Sequence, residues 1–125
     1  LAFENMEEEK LKRELDYLQN LLLRAKRIVA DTGINYLKWS RSKTVDYMLE
    51  DGFDRGLVES DVNRYITWPG QACAYYVGYT KIMELRDMMK EKYDEAFNLR
   101  DFHKLILENG QMPLEILEEK FMESL

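Results

Sequence analysis

Apolar residues return at helical spacing along most of this chain, and nowhere do they alternate with a period of two over a useful length. Leu11, Leu15, Leu18, Leu22, Ala25 and Val29 recur at steps of four and three, a stripe that predicts one helix from about Glu4 to Ala30. At 1.5 Å per residue such a helix is about 40 Å long. Leu21 and Ile28 widen the stripe, as in a helix that packs against more than one neighbour. A chain patterned in this way folds all-α, as a helical array with two long helices and several short ones.

Local signals place the other boundaries. Gly33 fits the end of the first helix, where a left-handed residue is tolerated. Asp31 beside that end would meet the negative pole of the helix, so Asp31 or Thr32 is expected to cap the short turn that follows, up to Trp39. Ser40 caps a helix through about Glu50, closed by Asp51-Gly52, and the stretch from Asp51 to Gly56 reads as a loop. The next helix runs from about Val58 to Thr67, and Pro69 forces Trp68 out of the helical region. The second long helix is predicted from Gly70 to about Ala96. Asn98 then caps a helix from Leu99 to Glu108, Asn109-Gly110 ends it, and Pro113 suits the first turn of the last helix.

The 125 residues suffice for a single all-helical domain or subdomain spanning 1–125, which at this size buries about two-thirds of its unfolded surface. Acidic residues number 24 against 18 basic ones and are spread along the chain, for a net charge of −6, which argues against nucleic acid as a partner. No apolar run approaches the roughly 20 residues of a membrane span. Cys73, in an Ala-Cys-Ala run, reads as a small filler, and one cysteine with one distant histidine, His103, makes no zinc site. Because the sequence opens at Leu1, a fragment of a longer polypeptide is expected. The compartment is not legible, since any signal would lie upstream.

Residues 64 to 78, RYITWPGQACAYYVG, have the makings of a site wall. Arg64 and Tyr65 come at the end of one helix, the chain breaks at Pro69-Gly70, and Gln71 opens the next helix with Tyr75 one turn later on the same face. Tyr76 points about 100° away from Tyr75, so at most one of the two faces a cleft. A structural reading stands beside this one: Val58, Val62 and Tyr65 share a stripe, so Tyr65 also suits the core, and Arg64 can pair with Asp61. Arg24 and Arg27 are accounted for by the helix dipole and a pairing with Asp31. Trp39 fits as an anchor of its turn, and His103 as a packed or capping residue.

With RAKRIVADTGIN (24 to 35), the WS pair (39 and 40), RYITWPGQACAYYVG, the ELR triplet (84 to 86), FNLRDFH (97 to 103) and LENGQMPLEILE (107 to 118) in family order, the chain resembles the C-terminal part of the bacterial family of domain of unknown function 885. The resemblance implies a helical zinc-peptidase-like fold of the gluzincin type, whose metal ligands lie N-terminal to the part represented by this chain. This chain would then add the far wall of a cleft that holds a peptide or small amide, and no metal ligand. Such a hydrolase needs a hydrogen-bond donor for the tetrahedral oxyanion, and a phenol donates without changing charge. The resemblance implies that role for Tyr65, with Arg64 organising charge or a substrate carboxylate and position 35, here Asn35, near the substrate; Gln71 and Tyr75 are expected to contact substrate from their shared helical face. Asn35 departs from the histidine common in the family at that position, and it cannot carry a proton.

The alternative is a non-catalytic helical interaction module, for which seven methionines and thirteen tyrosines or phenylalanines offer adaptable contacts. The enzyme reading makes the rest of its own polypeptide the partner. Both readings leave an apolar face uncovered, so self-association of the isolated chain is expected.

Overall fold

The computed structural model describes residues 2–125, and among them the secondary structure is helical throughout. The all-α reading holds. Six α-helices follow in order: α1 Ala2–Asn35, α2 Arg41–Leu49, α3 Arg55–Thr67, α4 Ala74–Tyr93, α5 Leu99–Leu107 and α6 Leu114–Ser124. One of them is long, since α1 has 34 residues and extends about 50 Å. The second predicted long helix is divided: α4 has 20 residues, and single 3-10 turns at Gln71–Cys73 and Asp94–Ala96 flank it. Gly70 starts the first of these turns at φ 83°, left-handed backbone that glycine adopts without a Cβ penalty.

Most of the caps lie where the sequence places them. The Ser40 hydroxyl accepts from Lys43 N at 3.1 Å, the Asn98 side chain accepts from Arg100 N at 2.8 Å, and Trp68 leaves the helical region at φ −133°. Helix α3 starts three residues before Val58, because Asp54 accepts from Leu57 N at 2.9 Å and turns the end of the expected loop into a first turn.

Two expectations about α1 are corrected. Gly33 does not end the helix, which runs on to Asn35 and closes with Lys38 in left-handed backbone at φ 60°. Glycine is needed at 33 for a close approach, since a Cβ there would lie 2.5 Å from Trp39 Cε3. The apolar stripe is the second correction. Leu11, Leu15 and Leu18 are each more than half exposed, and the face that packs carries Leu23, Lys26, Arg27, Ala30 and Ile34.

The chain divides into two compact units, the first ending at Tyr76 and the second running Val77–Leu125. In the N-terminal unit α1, α2 and α3 pack around Ala30, Val45, Met48, Val58, Val62, Tyr65 and Ala72. In the C-terminal unit Leu85, Met89, Phe102, Leu117 and Phe121 form the core, with the Phe102 and Phe121 rings edge to face at 6.1 Å. Burying a side chain of this size stabilises by about 1.5–3 kcal/mol relative to leaving it in water.

Candidate functional site

The polar residues Arg24, Arg27, Asp31 and Asn35 are spaced three, four and four apart, so they line one side of the last three turns of α1. This row runs into the core. Arg27 is 2% exposed and Asp31 4% exposed, and both carry charge into the side of the helix that meets α3 and the break at Pro69-Gly70. Burying charge without partners is costly, so the partners are informative.

Asp31 caps the start of the next segment from 39 positions away. Its two carboxylate oxygens accept the Gly70 N–H at 2.9 and 3.0 Å, and the Asn35 side-chain amide donates to the same carboxylate at 3.2 Å. The expected local cap of the turn after α1 is replaced by this tertiary one. Asn35 also donates to the Tyr65 carbonyl at 3.0 Å, so its amide joins α1 to the end of α3. These bonds hold the turn that begins with Gln71 against α1.

On α3, Asp61, Arg64 and Tyr65 form a local group. Arg64 Nη2 pairs with Asp61 Oδ1, and the Tyr65 hydroxyl donates to Asp61 Oδ2 at 3.2 Å. Tyr65 is fully buried; burial and then the Asp61 charge push its phenol pKa well above the ordinary value, so it stays protonated at any physiological pH. The hydroxyl faces Asp61 and not open solvent. Of the two readings of the Arg64-Tyr65 pair, the geometry includes both the core position of Tyr65 and the pairing of Arg64 with Asp61.

Arg27 does not pair with Asp31, contrary to the expectation from spacing. Its guanidinium carbon lies 5.7 Å from the centre of the Tyr65 ring and 5.2 Å from that of Tyr75, and the guanidinium carbon of Arg24 lies 4.5 Å from the centre of the Tyr75 ring. Two buried nitrogens of Arg27, Nε and Nη2, have no hydrogen-bond partner, and neither has Nε of Arg64. Arg24, Arg27, Asp61 and Arg64 line a recess of about 200 Å³ whose remaining wall is largely Leu23, Phe53, Leu57 and Val58.

Tyr75 is exposed and reaches this group through the two arginines, while Tyr76 is more covered. Gln71 is exposed at the start of its 3-10 turn, near the group in sequence but with no side-chain bond to it. Cys73 is half-buried, and burial followed by the charge of Asp31 raises its thiol pKa. His103, exposed and tilted against Phe102 at 5.9 Å, belongs to the other unit. Trp39 packs edge-on to Tyr47 at 5.5 Å, as an anchor of its turn should. Among the described residues no three His, Cys, Asp or Glu side chains converge as ligands for a metal ion. No described helix is long and apolar enough to cross a membrane.

Arg24, Arg27, Asp31 and Asp61 are the members of this group that local pattern explains only as dipole, cap or ion-pair residues. The signal was present as four polar residues in helical register, at 24, 27, 31 and 35, on a side of α1 that otherwise carries core residues.

The profile of the family described as "Bacterial protein of unknown function (DUF885)" matches residues 4–121. The chain belongs to this family. Every residue of the polar group in this DUF885 chain falls within the matched span. Among solved structures it is similar to the crystal structure of "the putative lipoprotein from Colwellia psychrerythraea", with 37% identity and a TM-score of 0.86 over 89% of this chain. The chain spans 19% of that protein's length. No curated protein matches it.

Proposed function

We propose that this chain is the substrate-cleft part of a zinc-dependent, peptidase-like hydrolase of gluzincin type, forming the C-terminal wall of a site that takes a peptide or small amide. The observation that carries this reading is the Asp31–Gly70 clamp. It draws the polar row of α1, the Arg64-Tyr65 end of α3 and the Gln71–Tyr75 segment into one group beside a recess. A buried polar network of this kind adds little net stability over apolar packing, but it does fix the geometry of the groups it joins.

Among the described residues no side chains converge as zinc ligands, so in this reading the metal is held by other residues of the full-length protein. What this chain's residues do is bind and orient. Asn35 and Asp31 fix the turn that presents Gln71 and Tyr75, and Arg64 and Asp61 set the charge at the mouth of the recess. Tyr65 acts in one of two ways: it donates to the oxyanion after leaving Asp61, or it positions Asp61 from the core.

The test is metal analysis and peptide hydrolysis on the full-length protein, with Tyr65→Phe beside the wild type. Stoichiometric zinc with hydrolysis is expected. A loss of about 100-fold or more in kcat at unchanged melting temperature identifies Tyr65 as the oxyanion donor, and a loss of only a few-fold identifies it as a positioning residue. A full-length protein with no bound zinc and no hydrolytic activity overturns the proposal. That result would favour the second reading, a non-catalytic interaction module, for which the exposed row Leu11, Leu15 and Leu18 is the supporting observation.

A further inference from the structure

A buried guanidinium ordinarily has its N–H groups paired, and one unpaired within the protein marks a cost to the fold, an ordered water or a position kept for a ligand. Arg27 is 2% exposed, and its unpaired Nε and Nη2 lie on the same edge of the guanidinium plane, the edge that meets the two oxygens of a planar oxyanion. The Tyr65 and Tyr75 rings lie 5.7 and 5.2 Å from its guanidinium carbon, and no hydrogen bond uses that edge.

The surroundings narrow the ligand. The acidic groups in the recess are committed elsewhere, Asp61 to Arg64 and Tyr65 and Asp54 to the first turn of α3, whereas among the described residues Arg24 and Arg27 have no carboxylate partner. Their charge is free for an anion. Leu23, Phe53, Leu57 and Val58 supply an apolar wall, and about 200 Å³ is room for a single side chain of a few carbons. The two carboxylates in the lining, Asp54 and Asp61, also disfavour a doubly charged phosphate more than a singly charged carboxylate.

We propose that the recess between α1 and α3 is a carboxylate subsite, in which Arg27, aided by Arg24, takes the free carboxylate of a ligand whose apolar side chain lies against Leu23, Leu57 and Val58. A rotation of the long Arg27 side chain turns its unpaired edge to the ligand. The subsite stands on this geometry; that the ligand is the C-terminal residue of a peptide substrate rests on the function proposed above.

The experiment is calorimetric titration of the full-length protein with N-acetyl-leucine, with its amide, and with inorganic phosphate. The acid is expected to bind on the order of 10-fold or more tightly than the amide, from the loss of a charge-assisted pair, and more tightly than phosphate. Arg27→Gln should abolish the preference for the acid, and Arg24→Ala, on a more exposed residue, should weaken the acid several-fold. Equal binding of acid and amide, or phosphate binding as tightly as the acid, overturns the carboxylate assignment. If Arg27→Gln does not fold, the acid-to-amide contrast in the wild type decides alone. Peptide hydrolysis separates the two proposals. A protein that cleaves free and amide-capped peptides equally well loses the subsite and keeps the enzyme reading. One that prefers the acid in binding yet cleaves nothing keeps the subsite and loses the enzyme reading.

Discussion

The C-terminal unit has a core of five apolar side chains, Leu85, Met89, Phe102, Leu117 and Phe121, whereas the N-terminal unit buries Lys26, Arg27, Asp31 and Thr44 among its apolar ones. Each charged member of the second set has a different fate. Lys26 is paired with Asp51 and stacks on Tyr47 at 4.3 Å, Asp31 is used up by Gly70 and Asn35, and Arg27 is left with an unpaired edge. The C-terminal unit carries its charge outside, as in Lys81, which bridges Glu84 and Glu118 at 3.1 Å and has its pKa raised by those hydrogen bonds. A unit that only had to be stable would resemble the C-terminal one. The N-terminal unit accepts desolvation costs that make sense for a site.

That contrast can be broken by mutation. The largest effect is expected from Phe102→Ala, which empties the apolar core at a fully packed ring; the cost is about 3–5 kcal/mol in denaturant unfolding, with no change in N-acetyl-leucine binding by the folded fraction. If that variant folds normally and loses binding, the division of labour between the units is wrong.

Next is Asp31→Ala. It leaves the Gly70 N–H and the Asn35 amide without their acceptor, at a cost of about 3 kcal/mol, and it frees the turn bearing Gln71 and Tyr75. Hydrogen exchange at residues 70 to 75 should speed up well before global unfolding. Unaltered protection there would mean that the clamp does not hold the segment.

The smallest effect belongs to Lys81→Met, a change in a partly exposed ion pair. It should leave the thermal melt at moderate salt nearly unchanged. A clear drop in melting temperature would show that the C-terminal unit also depends on charge, and the contrast would fail.

The candidate site was half legible in the sequence. Arg64, Tyr65, Gln71 and Tyr75 drew notice because they surround Pro69-Gly70, a break that any reading along the chain detects. Arg27 and Asp31 read in sequence as a dipole effect and a local pair, since their nearest opposite charges along the chain are each other. The structure gives Asp31 a partner 39 positions away and, among the described residues, leaves Arg27 Nε and Nη2 without a hydrogen-bond partner. Asn35 was noticed for what it lacks, a titrating ring, and its two hydrogen bonds to Asp31 and Tyr65 could not be anticipated from that.

What the sequence determined by itself is everything decided within four or five residues. The helical state of each segment, the caps at Ser40 and Asn98, and the ejection of Trp68 by Pro69 all depend on backbone bonds and sterics between near neighbours. Tertiary structure alone decided which side of α1 is buried, because periodicity shows that a stripe exists and not what covers it. It alone made Gly33 a contact for Trp39 instead of a helix end, and it alone set Arg27 between two tyrosines with its edge unpaired. These are contacts between residues far apart in the chain, and no local pattern encodes their pairing.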